Sequence, residues 1–235
     1  MQPSSSPVSR FDRLRKWLDL FATLAVLTTS ALFVWRIWPE TPPPPVKLAI
    51  PKAPMSLAGV QAQGVPSAEV GLLMFMDFQC PFCRKFVQET LQELERQYVQ
   101  KGVLKVALRH LPITQLHQGA LALAEGTACV GRQGRFWEAS AELFRAPKAE
   151  PSMLPALVTR LGLDGPAFSR CVAGEAVDEV RRDMALALDL GIKSTPSFFL
   201  GRIEGPSLRV TTTLIGSQPL VVFQKAIEDI SRTAK

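Results

Sequence analysis

Histidine is nearly missing from this chain, with only His110 and His117 among 235 residues. Their spacing falls outside the three-to-five-residue interval of zinc-binding histidine pairs, so no metal centre is expected. A basic stripe interleaved with aromatics is also missing. The net charge of +6 is dispersed: the first 40 residues carry five basic and three acidic side chains, leaving 22 basic and 18 acidic for the rest. A nucleic-acid partner is therefore not expected. There is no internal repeat. No small-residue cleavage pattern of the A-x-A type closes the apolar run near the N-terminus, where Trp35, Arg36 and Trp38 stand instead.

What is present begins with that run. Residues 17–38 are about as long as a membrane span requires, with Asp19 and Arg36 near the ends and Trp17, Trp35 and Trp38 placed for interfacial belts. Arg10, Arg13, Arg15 and Lys16 precede it with only Asp12 opposing, so residues 1–16 are expected in the cytoplasm and the rest outside it. A cleaved signal peptide and a buried core helix are the competing readings. Pro39 and Pro42 to Pro45 then form a stiff spacer, and residues 39–65 read as a Pro-rich linker running into an edge strand. The folded domain is expected over 66–235.

Within it, Val70 to Met76 is a short apolar run, consistent with a strand buried on both faces. Pro81 to Tyr98 has helical spacing, with Phe86, Val87, Leu91, Leu94 and Tyr98 on one side. Val103 to Arg109 reads as a second strand, completing a βαβ unit. Helices are expected over 115–130, 135–144, 153–161 and 176–190, an insertion spanning about 113–190. Strands follow at 197–200 and 209–215, then a closing helix over 220–231. This order predicts one α/β domain, a mixed sheet flanked by helices.

Four cysteines remain. In an exported domain thiols are generally oxidised, and of the three formal pairings proximity favours Cys80 with Cys83 and Cys129 with Cys171. Cys80-Pro81-Phe82-Cys83 stands between the first strand and its helix. A helix start has backbone N–H groups without intrahelical partners and a partial positive charge, both of which stabilise a thiolate. Pro81 suits the first helical position. The outer Cys80 is thus expected to be the exposed nucleophile and Cys83 the buried resolving thiol. Phe82 lends no charge, whereas Arg84 and Lys85 could. An inert structural bridge and half of a metal site are the competing readings. Cys129 and Cys171 read as a structural disulfide pinning the insertion, or else as two buried thiols. Ser194-Thr195-Pro196 leads into a strand. Pro196 is either an ordinary strand-start proline or one in cis, which would turn the Thr195 backbone toward the thiols to meet a substrate strand.

Three segments together carry a resemblance: Phe75 to Cys83 followed by a helix, Ala128-Cys129 ahead of Gly134-Arg135-Phe136-Trp137-Glu138, and Gly191 to Phe199. Over about residues 56–233 the chain resembles the DsbA-like thiol–disulfide oxidoreductases of the thioredoxin superfamily. The resemblance implies a thioredoxin fold with a helical insertion, Cys80 attacking, Cys83 resolving, and Pro196 in cis. With Thr195, Pro81 and Phe82 it forms the substrate-facing surface. It further implies no bound cofactor, exported proteins with free thiols as substrates, and a quinone-linked membrane oxidase as partner. A dithiol oxidase is the leading activity. An isomerase or reductase of the same fold, or a non-catalytic chaperone or metal-binding module, are the alternatives. One departure stands out. The strand position six before the first cysteine, often a buried acid in this family, is Met74 here, which leaves water or a group such as Asp77 to accept the resolving thiol's proton.

Overall fold

The computed structural model describes residues 10–37 and 48–232, divided into two units between residues 45 and 46. The polyproline spacer and Trp38 lie outside the described residues. In the first unit a single helix, Arg10–Ile37, contains the stretch Arg13–Arg36, long and apolar enough to cross a membrane. Its large apolar side chains, such as Trp17, Phe21, Phe33 and Trp35, are exposed.

The second unit is built on a six-stranded mixed sheet: β1 (Met55–Ser56), β2 (Gln61–Gln63), β3 (Val70–Met76), β4 (Leu104–His110), β5 (Ser197–Glu204) and β6 (Ser207–Ile215), in the spatial order β1-β6-β5-β3-β4-β2. Only the β3–β4 pair is parallel; the others run antiparallel. All seven residues of β3 are buried, and the alternation of side chains across a strand divides them between two cores. Val70, Leu72, Met74 and Met76 point to one, Leu73 and Phe75 to the other. The first core is the larger. It takes in Phe86, Leu91 and Leu94 from the helical segment 81–99, Phe223, Ile227 and Ile230 from the closing helix Leu220–Arg232, and Phe136, Leu143 and Phe144 from the insertion. The second is closed by Leu48, Ala187 and Ile192. One glycine is sterically required. A Cβ on Gly201 would lie 1.9 Å from the Arg209 carbonyl oxygen, beside a register shift between Leu200 and Gly201.

The sequence reading needs three corrections. Residues 39–65 are not wholly linker: Leu48 and Met55 are buried, β1 pairs with β6, and β2 pairs with β4 from Gln61 opposite Leu108 to Gln63 opposite Val106. The expected edge strand is thus two short ones, which join through the backbone and ask little of their side chains. The helix expected from residue 115 begins at Ala120, because 111–119 forms turns, with the Leu116 and His117 amides both donating to the Ile113 carbonyl. Finally, Gly165–Arg170 is helical, in a stretch between the helices expected over 153–161 and 176–190 where none was expected. Asp164 caps it by accepting from the Ala167 amide at 2.9 Å, and the proline falls in the first turn.

The insertion holds a disulfide between Cys129, on the helix Ala120–Arg132, and Cys171, which opens a wide helical turn over Cys171–Glu175. Around it lie Ala128, Ala176, Phe168 and Val172. In the chain-entropy view, a loop of sequence separation 42 makes such a bond worth about 4 kcal/mol.

Candidate active site

Strand β3 ends at Met76, and a four-residue bend delivers Cys80 to the position just before the helix, with Pro81 at the helix start. Cys80 has extended backbone angles, and its carbonyl accepts from the Arg84 amide at 3.1 Å, closing the first turn. Cys83 is one turn further in. Both are free thiols. Across from them the Thr195–Pro196 bond is cis, and the Cys80 thiol donates to the Thr195 carbonyl at 3.3 Å. Cys80, Cys83, Thr195 and Pro196 are thus gathered at one end of the sheet. Phe82 sits on the exposed side of the helix start, 61% accessible.

The two thiols are driven apart in acidity. A hydrogen bond from the Cys83 thiol pulls Cys80 down from 9.0 to about 6. Burial opposes it, and the Thr195 side chain and the Cys83 and Phe82 amides add to the lowering. The Thr195 hydroxyl has no partner of good hydrogen-bond geometry, so its effect is that of a dipole facing the thiols. The Thr195 carbonyl, an acceptor, favours the neutral thiol, so the acidity comes from the donors. Burial pushes Cys83 well above 9.0, reinforced by its hydrogen bond to Cys80 and by the charge there. One amide works against this: the Asp77 N–H points at the Cys83 Sγ, 3.5 Å away.

Two expectations fail. Cys80 is not an exposed thiol: it is only 5% accessible, with the Thr195–Pro196 segment against it. Arg84 and Lys85 are not aimed at the thiolate. Arg84 reaches the Ala146 carbonyl, and Lys85 approaches Glu89 on the helix surface.

Met74 is wholly buried and lines a cavity of about 590 Å³ between the helical segment 81–99 and the helix Phe136–Arg145, together with Met76, Leu91, Leu108 and Phe144. The strand position six before Cys80 thus presents a thioether, and the acid that lines the same cavity is Glu95, whose pKa burial raises. His110 is buried against Phe78 and Phe136 with neither ring nitrogen partnered, and burial lowers its pKa to about 4.

The sequence also understated the bend itself. The Asp77 carboxylate, fully buried, accepts from the Gln79 and Ile113 amides and lies beside the His117 Nδ1, each at 2.8 Å. Gln79 reaches across to Gly119 and Ala149. An aspartate three residues before Cys80 was the available signal. Its partners lie 36 and 40 residues away, beyond anything local spacing shows. Among the described residues no three His, Cys, Asp or Glu side chains are gathered as a metal site would need.

A family model described as Thioredoxin matches residues 58–206. The chain belongs to the thioredoxin family. Its fold is shared with alpha-DsbA1 of Wolbachia pipientis (20% identity, 77% of this chain and 94% of that one, TM-score 0.67). It is likewise shared with oxidised BdbD of Bacillus subtilis (16% identity, 80% and 100%, TM-score 0.64). Among curated relatives it is similar to the Na(+)/H(+) antiporter NhaA 1 of Mycobacterium sp. (strain KMS), 28% identical over 204 residues, covering 84% of this chain and 32% of that protein. This thioredoxin-family chain spans about a third of the length of such relatives, and ion transport stays with the longer protein.

Proposed function

We propose that this chain is an extracytoplasmic thiol–disulfide oxidoreductase, a dithiol oxidase that introduces disulfides into exported proteins through Cys80 and Cys83. A client thiolate attacks Cys80 of the oxidised pair. The S–S bond breaks, Cys83 leaves with the electron pair, and a mixed disulfide joins client to Cys80. The client's second thiolate then attacks its own sulfur in that bond and expels the Cys80 thiolate. The observation that carries the reading is the acidity split, Cys80 drawn down to about 6 beside a Cys83 held above 9.0. A stabilised Cys80 thiolate favours the reduced site, which makes the disulfide an oxidant. Thr195, cis-Pro196, Pro81 and Phe82 form the surface a client segment meets, and the Cys129–Cys171 bond is structural.

In this reading the helix Arg10–Ile37 is a single-pass anchor with its N-terminus in the cytoplasm, and a quinone-linked membrane oxidase restores the Cys80–Cys83 disulfide. Its test is a trap. Cys83→Ser in the native host is expected to accumulate mixed disulfides with exported proteins, all lost in Cys80→Ser, with wild-type Cys80 and Cys83 isolated mostly as disulfide. A wild-type pair isolated mostly as dithiol assigns the reverse, reducing direction. A Cys80→Ser chain with full function sinks the enzyme reading.

A further inference from the structure

We infer that Asp77 and His117 form a positioning pair for the resolving thiol, serving Cys83 where this chain has Met74 instead of an acid. The inference rests on the oxidoreductase reading above. Asp77 touches both cysteines through its backbone: its carbonyl accepts from the Cys80 amide at 3.1 Å, and its own N–H points at the Cys83 Sγ at 3.5 Å. The orientation of that peptide unit is set by the carboxylate. Oδ1 is held by the Gln79 amide, and Oδ2 by the Ile113 amide and His117 Nδ1. A carboxylate with no solvent exposure holds its place only while its donors hold theirs. Two of the three are backbone groups. His117 is the one side chain, and at 18% exposure it connects the buried carboxylate to the surface.

The chemistry explains why an amide matters here. When a client thiolate attacks Cys80, Cys83 departs as a thiolate with no exposure to water, and Met74 stands at the strand position six before Cys80. When Cys83 attacks the mixed disulfide in the reverse step, the same thiolate must form first. The Asp77 N–H is the donor aimed at that sulfur, and the proton Cys83 gains or loses is balanced by its thiol partner: the client's second thiol gives one up in order to attack, and a departing client thiolate takes one up. A donor held in place stabilises the thiolate in both directions without reorganising, as preorganised amides do for other developing anions. His117 acts through Asp77, so it is a positioning residue.

The full-length chain, reduced and then loaded with glutathione on Cys80, tests this by the rate at which Cys83 expels the glutathione. His117→Phe is expected to slow expulsion about tenfold, the worth of one lost hydrogen bond to a charged group. Its Cys80 alkylation rate is expected to stay within about twofold, because Cys80 draws its donors from elsewhere. His117→Asn, which returns an N–H near the Nδ1 position, is expected to recover most of the loss. Should His117→Phe not fold, Asp77→Asn carries the same comparison and is expected to slow expulsion similarly. Expulsion at the wild-type rate in the Phe variant, or equal slowing by Phe and Asn at matched thermal midpoints, overturns the pair's role. Failure of the oxidoreductase reading looks different: the wild type itself then forms no mixed disulfide.

Discussion

The two cysteine pairs are almost equally buried, Cys80 and Cys83 at 5% and 0% exposure, Cys129 and Cys171 at 1% and 6%, yet their surroundings are opposite. Around Cys129 and Cys171 are the apolar side chains of Ala128, Ala176, Phe168 and Val172, and the two sulfurs are joined to each other. Around Cys80 and Cys83 are a helix start, the Asp77, Phe82 and Cys83 amides and the Thr195 dipole. Burial alone raises a thiol's pKa, as Cys83 shows. The acidity of Cys80 therefore follows the donors that reach its sulfur, whereas the insertion's pair is closed as a disulfide among apolar side chains.

The sharpest way to break this contrast is to remove one member of each pair. Cys80→Ser is expected to abolish disulfide exchange with a model dithiol peptide, a loss of about a thousandfold or more, because the thiol that remains, Cys83, is fully buried and held protonated. Cys171→Ala is expected to leave exchange by the folded protein largely intact while lowering stability by up to about 4 kcal/mol in urea unfolding. If Cys171→Ala silences exchange in folded protein, the division of roles between the pairs is wrong.

A smaller effect separates the acid response of the core from that of the thiols. His110, buried without a partner, has its pKa lowered from 6.5 to about 4. The unfolded chain binds that proton first, so stability falls as the pH drops from about 6.5 toward 4, by roughly 3 kcal/mol in all. His110→Phe is expected to flatten this limb of the stability–pH curve while leaving the Cys80 titration in place. A curve unchanged by the substitution assigns the acid sensitivity to other groups.

The smallest expected effect concerns Thr195. Thr195→Val keeps the shape and the carbonyl but removes the hydroxyl dipole facing the thiols. The Cys80 pKa is expected to rise above about 6 while remaining below 9.0, because the Cys83 thiol and the helix-start amides stay. Iodoacetamide alkylation against pH reads this directly, and a pKa left unmoved removes the hydroxyl from the account.

How much of this was legible in the sequence depends on range. The β3 run, the Cys80-Pro81-Phe82-Cys83 motif at a helix mouth and the Thr195-Pro196 step are local patterns, and they mark the main core and both walls of the site. One edge strand was expected at the end of the linker, but that two are present, and that they flank opposite sides of the sheet, was hidden, because their pairing uses backbone groups and asks little of the side chains. The covering of Cys80 was hidden too, since the Thr195 carbonyl that meets it comes from 115 residues away. The Asp77–His117 contact is likewise long-range, and only the three-residue offset of Asp77 from Cys80 hinted at it. Met74 at that position was visible in the sequence, but not the cavity it lines.

The central claim is that donors, not exposure, set the reactivity of these cysteines. The most direct test is the thiolate absorbance of the fully reduced chain against pH, with the Cys83→Ser and Cys129→Ala/Cys171→Ala variants assigning the transitions. The account expects one thiolate to appear with a midpoint near 6, assigned to Cys80, and Cys83 to stay protonated beyond pH 9. Cys80 titrating at or above 9 alongside Cys83 would contradict it.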